Sequence, residues 1–214
     1  MPKILTDSDV AAFRERLCAA ALPLFAGRGP EGVTIRDLAA AVGVSAMTPY
    51  RYFKDKDAIL AAVRARAFDS HADALEAAYR RSPPARRATN LARAYVDFAL
   101  QNPEAYKLMF DVHQPNAADY PDLVRAGERS RRTMTLQLDP PEGAPARKLD
   151  ATPSPGEMFT AHIYWAALHG PLMLALSGML PDDITPRRLV DALLRALDKG
   201  LRDTPEAPAA NVSA

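Results

Sequence analysis

Residues 35–53, IRDLAAAVGVSAMTPYRYF, constrain the fold of this chain more than any other stretch. Two short helices that cross steeply need a turn residue able to take a positive φ, and Gly43 supplies it. Ala39, four residues earlier, is small enough to let the second helix pass close over the first. Leu38, Val42 and Val44 are apolar where the pair must seal against a core, and Ser45 can cap the second helix. Thr34 opens the first helix, with Asp37 three residues on as a variant capping box. This ordered set is the pattern of a helix-turn-helix, about residues 34–53, with its second helix expected over 45–53. Pro49 falls inside that second helix. With Ser45 as N-cap it forfeits the first hydrogen bond, so the helix is expected to be short and its first turn rigid.

The rest of the chain also reads as helix. Apolar residues make up 48% and aromatics 7%, with few of the β-branched and aromatic residues that fill sheets. A first helix over 8–27 carries Val10, Phe13, Leu17, Ala20, Ala21 and Leu24 on one face, with Ser8 as N-cap and Pro23 as a kink near its end. A long helix over 55–81 has Ile59, Val63, Phe68, Ala72, Leu75 and Tyr79 on its apolar face. Pro83 and Pro84 break the chain after it. Helical patterns follow over 86–101, 103–113 and 120–138, then over 157–180 and 186–202 after a proline-rich loop at 139–156. The expected fold is all-α: an N-terminal three-helix domain over 10–70, a helical domain over 83–202 and a disordered tail over 203–214.

Charge and cysteine content narrow the classes. The formal net charge is +1, so binding to a polyanion must come from a local patch, here Arg36, Arg51, Lys54 and Lys56, although Asp37, Asp55 and Asp57 are interspersed. Cys18 is the only cysteine, which excludes an internal disulfide and a multi-thiolate metal site and fits a reduced, cytoplasmic setting. The N-terminus lacks a signal-peptide pattern, and the most apolar run, 163–180, is interrupted by His169, Gly170 and Pro171; no membrane association is expected. A phosphate loop, a Gly-x-Ser-x-Gly elbow and a His-Glu-x-x-His zinc motif are all missing, so no catalytic residue, cofactor or metal is assigned. An enzyme carrying a helix-turn-helix, or an architectural DNA protein, are the competing readings; the latter would be more basic.

Residues 10–70 resemble the DNA-binding domain of TetR/AcrR-type regulators. The likeness is carried by Phe25, Gly29, Thr34, Leu38-Ala39, Val42-Gly43-Val44-Ser45, Tyr50, Tyr52-Phe53, Lys56 and Ile59-Leu60. It implies a ligand-released repressor, bound to double-stranded operator DNA as a homodimer. It implies a recognition helix over 46–52 in the major groove and DNA contacts from Arg36, Ser45, Ala46, Met47, Thr48, Tyr50, Tyr52 and Lys56; Thr34 and the clustered Arg51 and Lys54 complete the candidate set. The chemistry agrees: the Ser45 and Thr48 hydroxyls can bond base edges, Met47 suits a thymine methyl, and the basic side chains suit phosphates. Pro49 departs from the large aliphatic residue common in the family and puts the docking angle in doubt.

From residue 83 onward the resemblance is to a general plan. Asn102 to Phe110 resembles the start of the helix that couples ligand pocket to DNA domain, and Trp165-x-x-x-His169-Gly170 resembles a pattern in one branch of the family. Candidate contacts to a small hydrophobic effector are Tyr106, Met109, Phe110, His113, His162, Trp165 and His169, although aromatics at such positions are more often core and the histidines fit core or pocket. His162 and His169 lie about 10 Å apart along a helix, too far to read as a metal pair. Leu172, Leu176, Leu189, Leu193, Leu197 and Leu201 are candidates for a four-helix dimer interface, or for packing within the monomer.

Overall fold

The structure, a computed structural model, describes residues 6–111, 116–138 and 146–203; of Ala117 and residues 201–203 only the backbone is described. Among the described residues there are eight α-helices and no strand. The chain divides into two compact units, Met1–Pro153 and Ser154–Ala214.

The first unit begins with α1, Asp7–Arg28. Its cap is Thr6, not Ser8: the Thr6 hydroxyl accepts the Asp9 amide while the Asp9 carboxylate accepts the Thr6 amide, closing a box that Ser8, inside the first turn, cannot make. The helix runs on past Pro23 to Arg28, and Gly29 ends it at a φ of 71°. The second helix, α2, spans Ile35–Ala41 behind the expected Thr34–Asp37 box, and Gly43 takes a φ of 71° at the turn. After it comes α3, Lys56–Arg81, capped by the Asp55 carboxylate.

The remaining helices of this unit are α4, Arg87–Gln101, α5, Pro103–Met109, and α6, Pro121–Thr133, which gives way to a 3-10 turn at Met134–Gln137. The pattern expected over 103–113 therefore stops at Met109 among the described residues. Phe13, Leu17 and Phe25 of α1, Leu38 of α2, Phe53, and Ile59 and Val63 of α3 make one buried cluster. Leu108 of α5 inserts into the same cluster, a burial that contributes roughly 1.5–3 kcal/mol and ties α5 to the helix-turn-helix.

Elsewhere α3 is fastened to α6. Arg129 donates to Asp69, Asp73 and Glu76, and Arg125 grips the Asp69 carboxylate with two nitrogens at 3.2 and 2.9 Å. These arginines hold the Asp69 carboxyl below its ordinary range against the opposing effect of burial. His71, also on α3, is buried, with Nδ1 2.9 Å from the Ser130 hydroxyl of α6 and its ring edge-on to Tyr95 and Phe98 of α4.

The second unit is a pair of packed helices, α7, Pro155–Leu176, and α8, Pro186–Asp203. The first starts two residues earlier than expected because Ser154 and Glu157 form a capping box with Pro155 at the first helical position. Tyr164 donates to Asp198 at 2.9 Å, joining the pair. Among the described residues no helix is long and apolar enough to cross a membrane, and no group of three His, Cys, Asp or Glu could hold a metal ion. The expected tail from 204 onward and part of the expected loop, 139–145, lie outside the described residues.

Candidate nucleic-acid interface

The expected recognition helix over 45–53 is not an α-helix here. Its regular core is a 3-10 turn, Pro49–Arg51, preceded by a tight turn in which the Thr48 amide donates to the Ser45 carbonyl at 2.9 Å. The cause is Pro49. An α-turn would bring the amide of residue 49 to the Ser45 carbonyl, but proline has none, so the carbonyl is closed one residue earlier. Arg51 then bonds Thr48, and both Tyr52 and Phe53 return to the Pro49 carbonyl.

This compact segment is fixed from behind. The Tyr52 ring stacks on Phe13 with centroids 4.0 Å apart, and Phe53 is buried. Arg14 donates to the Tyr52 carbonyl at 2.7 Å with its guanidinium over the Phe53 ring, a role that the sequence pattern of α1, with Arg14 off its apolar face, did not reveal. Lys56 donates to the Pro30 carbonyl at 2.7 Å, tying the start of α3 to the loop before α2.

What remains outward is a mixed apolar and basic edge. Met47 is 70% exposed and Tyr50 50% exposed, beside exposed Ser45 and Arg51. Ser45 and Thr48 share a hydroxyl contact of 3.0 Å, which orients both side chains. Ala46 and Thr48 are half-buried. Thr34 and Arg36 are exposed at the start of α2, but the Thr34 hydroxyl and amide are spent on Asp37. Lys54 is exposed, near Asp55 at 3.9 Å and over the Tyr120 ring at 4.9 Å.

The effector candidates fall in two places. Tyr106 and Met109, on α5, are fully buried, and Phe110 follows them. The hydroxyls of Tyr106 and Tyr95 are 2.8 Å apart, and Phe110 meets Phe68 and Tyr106 edge-on. His162, Trp165 and His169 form a row of ring contacts along α7, in the second unit, and burial pushes the His169 pKa down. His113 lies outside the described residues.

Of the dimer candidates, Leu172 is fully buried within the chain and has no surface to give a partner. Leu176, Leu189 and Leu197 are half-buried and Leu193 is 37% exposed, while the side chain of Leu201 is outside the described residues.

An all-helical chain with a glycine-turned helix pair at one end and basic and apolar side chains exposed beside the turn has the form of a DNA-binding regulator. Residues 17–63 match the family of bacterial regulatory proteins named tetR, and residues 88–197 match the tetracyclin repressor-like C-terminal domain. The chain belongs to the TetR family of transcriptional regulators. No curated protein matches it.

Among solved structures it is similar to a protein of unknown function from Rhodococcus sp. RHA1, with 30% identity over 96% of this chain and 100% of that one, TM-score 0.69. The TetR family regulator PfmR from Thermus thermophilus shares its fold at 19% identity, covering 84% and 97%, TM-score 0.61. So does the fatty acid degradation regulator FadR from Bacillus halodurans, at 14% identity, covering 94% and 99%, TM-score 0.67. The matched families are regulators, not enzymes.

Proposed function

We propose that this protein is a cytoplasmic homodimeric repressor that binds operator DNA through residues 34–56 and is released by a small hydrophobic effector. The observation that carries the DNA reading is the exposure of Met47 and Tyr50 on a segment whose other side is anchored by Phe13, Arg14 and Phe53. Apolar side chains held out of a core beside Arg51 and Arg36 suit base edges flanked by phosphates. The Ser45 and Thr48 hydroxyls and Met47 read bases; Arg36, Tyr50, Arg51, Lys54 and Lys56 hold the backbone. Thr34, Ala46 and Tyr52 set the segment's position.

Release works through α5. Leu108 sits in the core under the helix-turn-helix, while its neighbours Tyr106, bonded to Tyr95, and Met109 are fully buried. An effector that displaces Tyr106, Met109 or Phe110 must therefore move the packing beneath the DNA-binding segment. Self-association runs through Leu176 of α7 and Leu189, Leu193 and Leu197 of α8, with two copies needed to span a dyad operator. The Trp165-x-x-x-His169-Gly170 pattern goes with this reading as a mark of one branch of the family.

The test is fluorescence anisotropy on the DNA flanking the gene, followed by calorimetric titration of any releasing compound into free and DNA-bound protein. Linkage requires the compound to bind the complex more weakly by the factor with which it weakens DNA binding. Equal affinities in the two titrations would remove the release mechanism and leave the DNA reading standing.

A further inference from the structure

Arg64 is the largest fully buried side chain among the described residues, 1% exposed on the middle of α3. Its Nη2 donates to the Met109 carbonyl at 2.8 Å, a cation placed at the C-terminus of α5. That bond accounts for part of the group only. Nε and Nη1 are buried with no partner.

A guanidinium presents two forked edges, Nε with Nη2 and Nη1 with Nη2. One carbonyl occupies one fork, so the other remains whole, and a whole fork matches a carboxylate. Burial pushes the Arg64 pKa down, and Asp111, just past α5, lies close enough to favour the charge. Two buried donors left without a partner are a costly arrangement for a core. Apolar rings lie along the same helix: Phe68 is one turn on from Arg64 in α3, and Phe110, next to Met109, meets the Phe68 ring at 6.2 Å.

We propose that the free fork of Arg64 binds the carboxylate of a small organic acid with an apolar body, and that such acids are the effector class of this protein. The proposal rests on the effector-release reading above and names its chemistry. It also supplies the coupling, because the same guanidinium holds the last carbonyl of α5, whose Leu108 lies under the helix-turn-helix. An acid drawn into the fork pulls on that contact.

The test uses octanoate and benzoate, with octan-1-ol and benzyl alcohol as neutral counterparts of the same body. Calorimetry on the wild-type protein should give binding of at least one acid, with its alcohol at least tenfold weaker. Arg64→Lys, which keeps the charge and loses the fork, and Arg64→Met should each weaken the acid at least tenfold and leave the alcohol unchanged. Absence of binding by both acids, equal affinities for acid and alcohol, or unchanged acid affinity in the variants would overturn the assignment.

Should Arg64→Met fail to fold, Arg64→Lys and the wild-type Arg64 Nε–H resonance decide. That resonance must move on adding the acid, and an unmoved signal overturns the proposal. Operator binding measured without any acid separates the two readings. DNA binding with no acid binding sinks the carboxylate site alone, whereas acid binding with no DNA binding sinks the regulatory reading.

Discussion

The Lys56 ammonium donates to the Pro30 carbonyl at 2.7 Å, so the first residue of α3 is bonded across the helix-turn-helix to the loop that precedes it. An ammonium has three donors, and this bond uses one. Lys56 can therefore brace the motif and face a phosphate together.

Replacing Lys56 with alanine should affect both roles. DNA affinity should fall across all sequences, with the slope of log affinity against log salt smaller by about one unit. Chemical denaturation should also register a loss of about 1 kcal/mol for the bond to Pro30. A stability loss with the salt slope unchanged would make Lys56 a brace alone.

Thr48 tests base reading. Thr48→Ala removes a hydroxyl that already contacts Ser45 at 3.0 Å, so its orientation is set before DNA arrives. Discrimination at one operator position should drop by about 1–3 kcal/mol, measured by binding to every single-base variant of the site. Met47→Ala should matter mainly where a thymine methyl lies opposite. Uniform weakening over all variants would assign Thr48 to positioning instead.

Self-association is tested at Leu193. Because this side chain is already 37% exposed in the single chain, a glutamate there costs the monomer little. Leu193→Glu should sediment as a folded monomer and lose binding to a two-half-site operator. A variant that still sediments as a dimer would move the interface elsewhere.

His71 gives a pH dependence. Burial lowers its pKa from 6.5 to about 3, so the folded protein holds it neutral while the unfolded chain protonates it below 6.5. Between those values the unfolded state binds more protons, and stability must fall as pH falls, by up to about 1.4 kcal/mol per unit from this group. Urea unfolding at pH 7 and pH 5 should show the loss, and His71→Gln, able to keep a bond to Ser130, should remove most of it. Equal pH slopes for the two proteins would mean that His71 is not buried neutral.

Local chemistry determined much of this protein by itself. The Thr34–Asp37 box, the positive φ of Gly43 and the start and end of the long α3 depend on residues within a few positions of one another, so their spacing alone defines them. Pro49 was legible as an obstacle for the same reason, although its outcome was not. A missing amide closes the turn early, and the packing of Tyr52 on Phe13 and of Arg14 on Phe53, which spacing does not show, holds the resulting 3-10 turn in place. Arg64 left a faint trace, a charge on the stripe that carries Leu60, Phe68 and His71. Its bond to Met109, 45 residues away, could not be read from that stripe, because a helix pattern tells which side is buried and not what lies against it. Tertiary structure alone brought Leu108 into the core of the helix-turn-helix and Arg129 onto three carboxylates of α3, since partners distant in the chain meet only once the helices have packed.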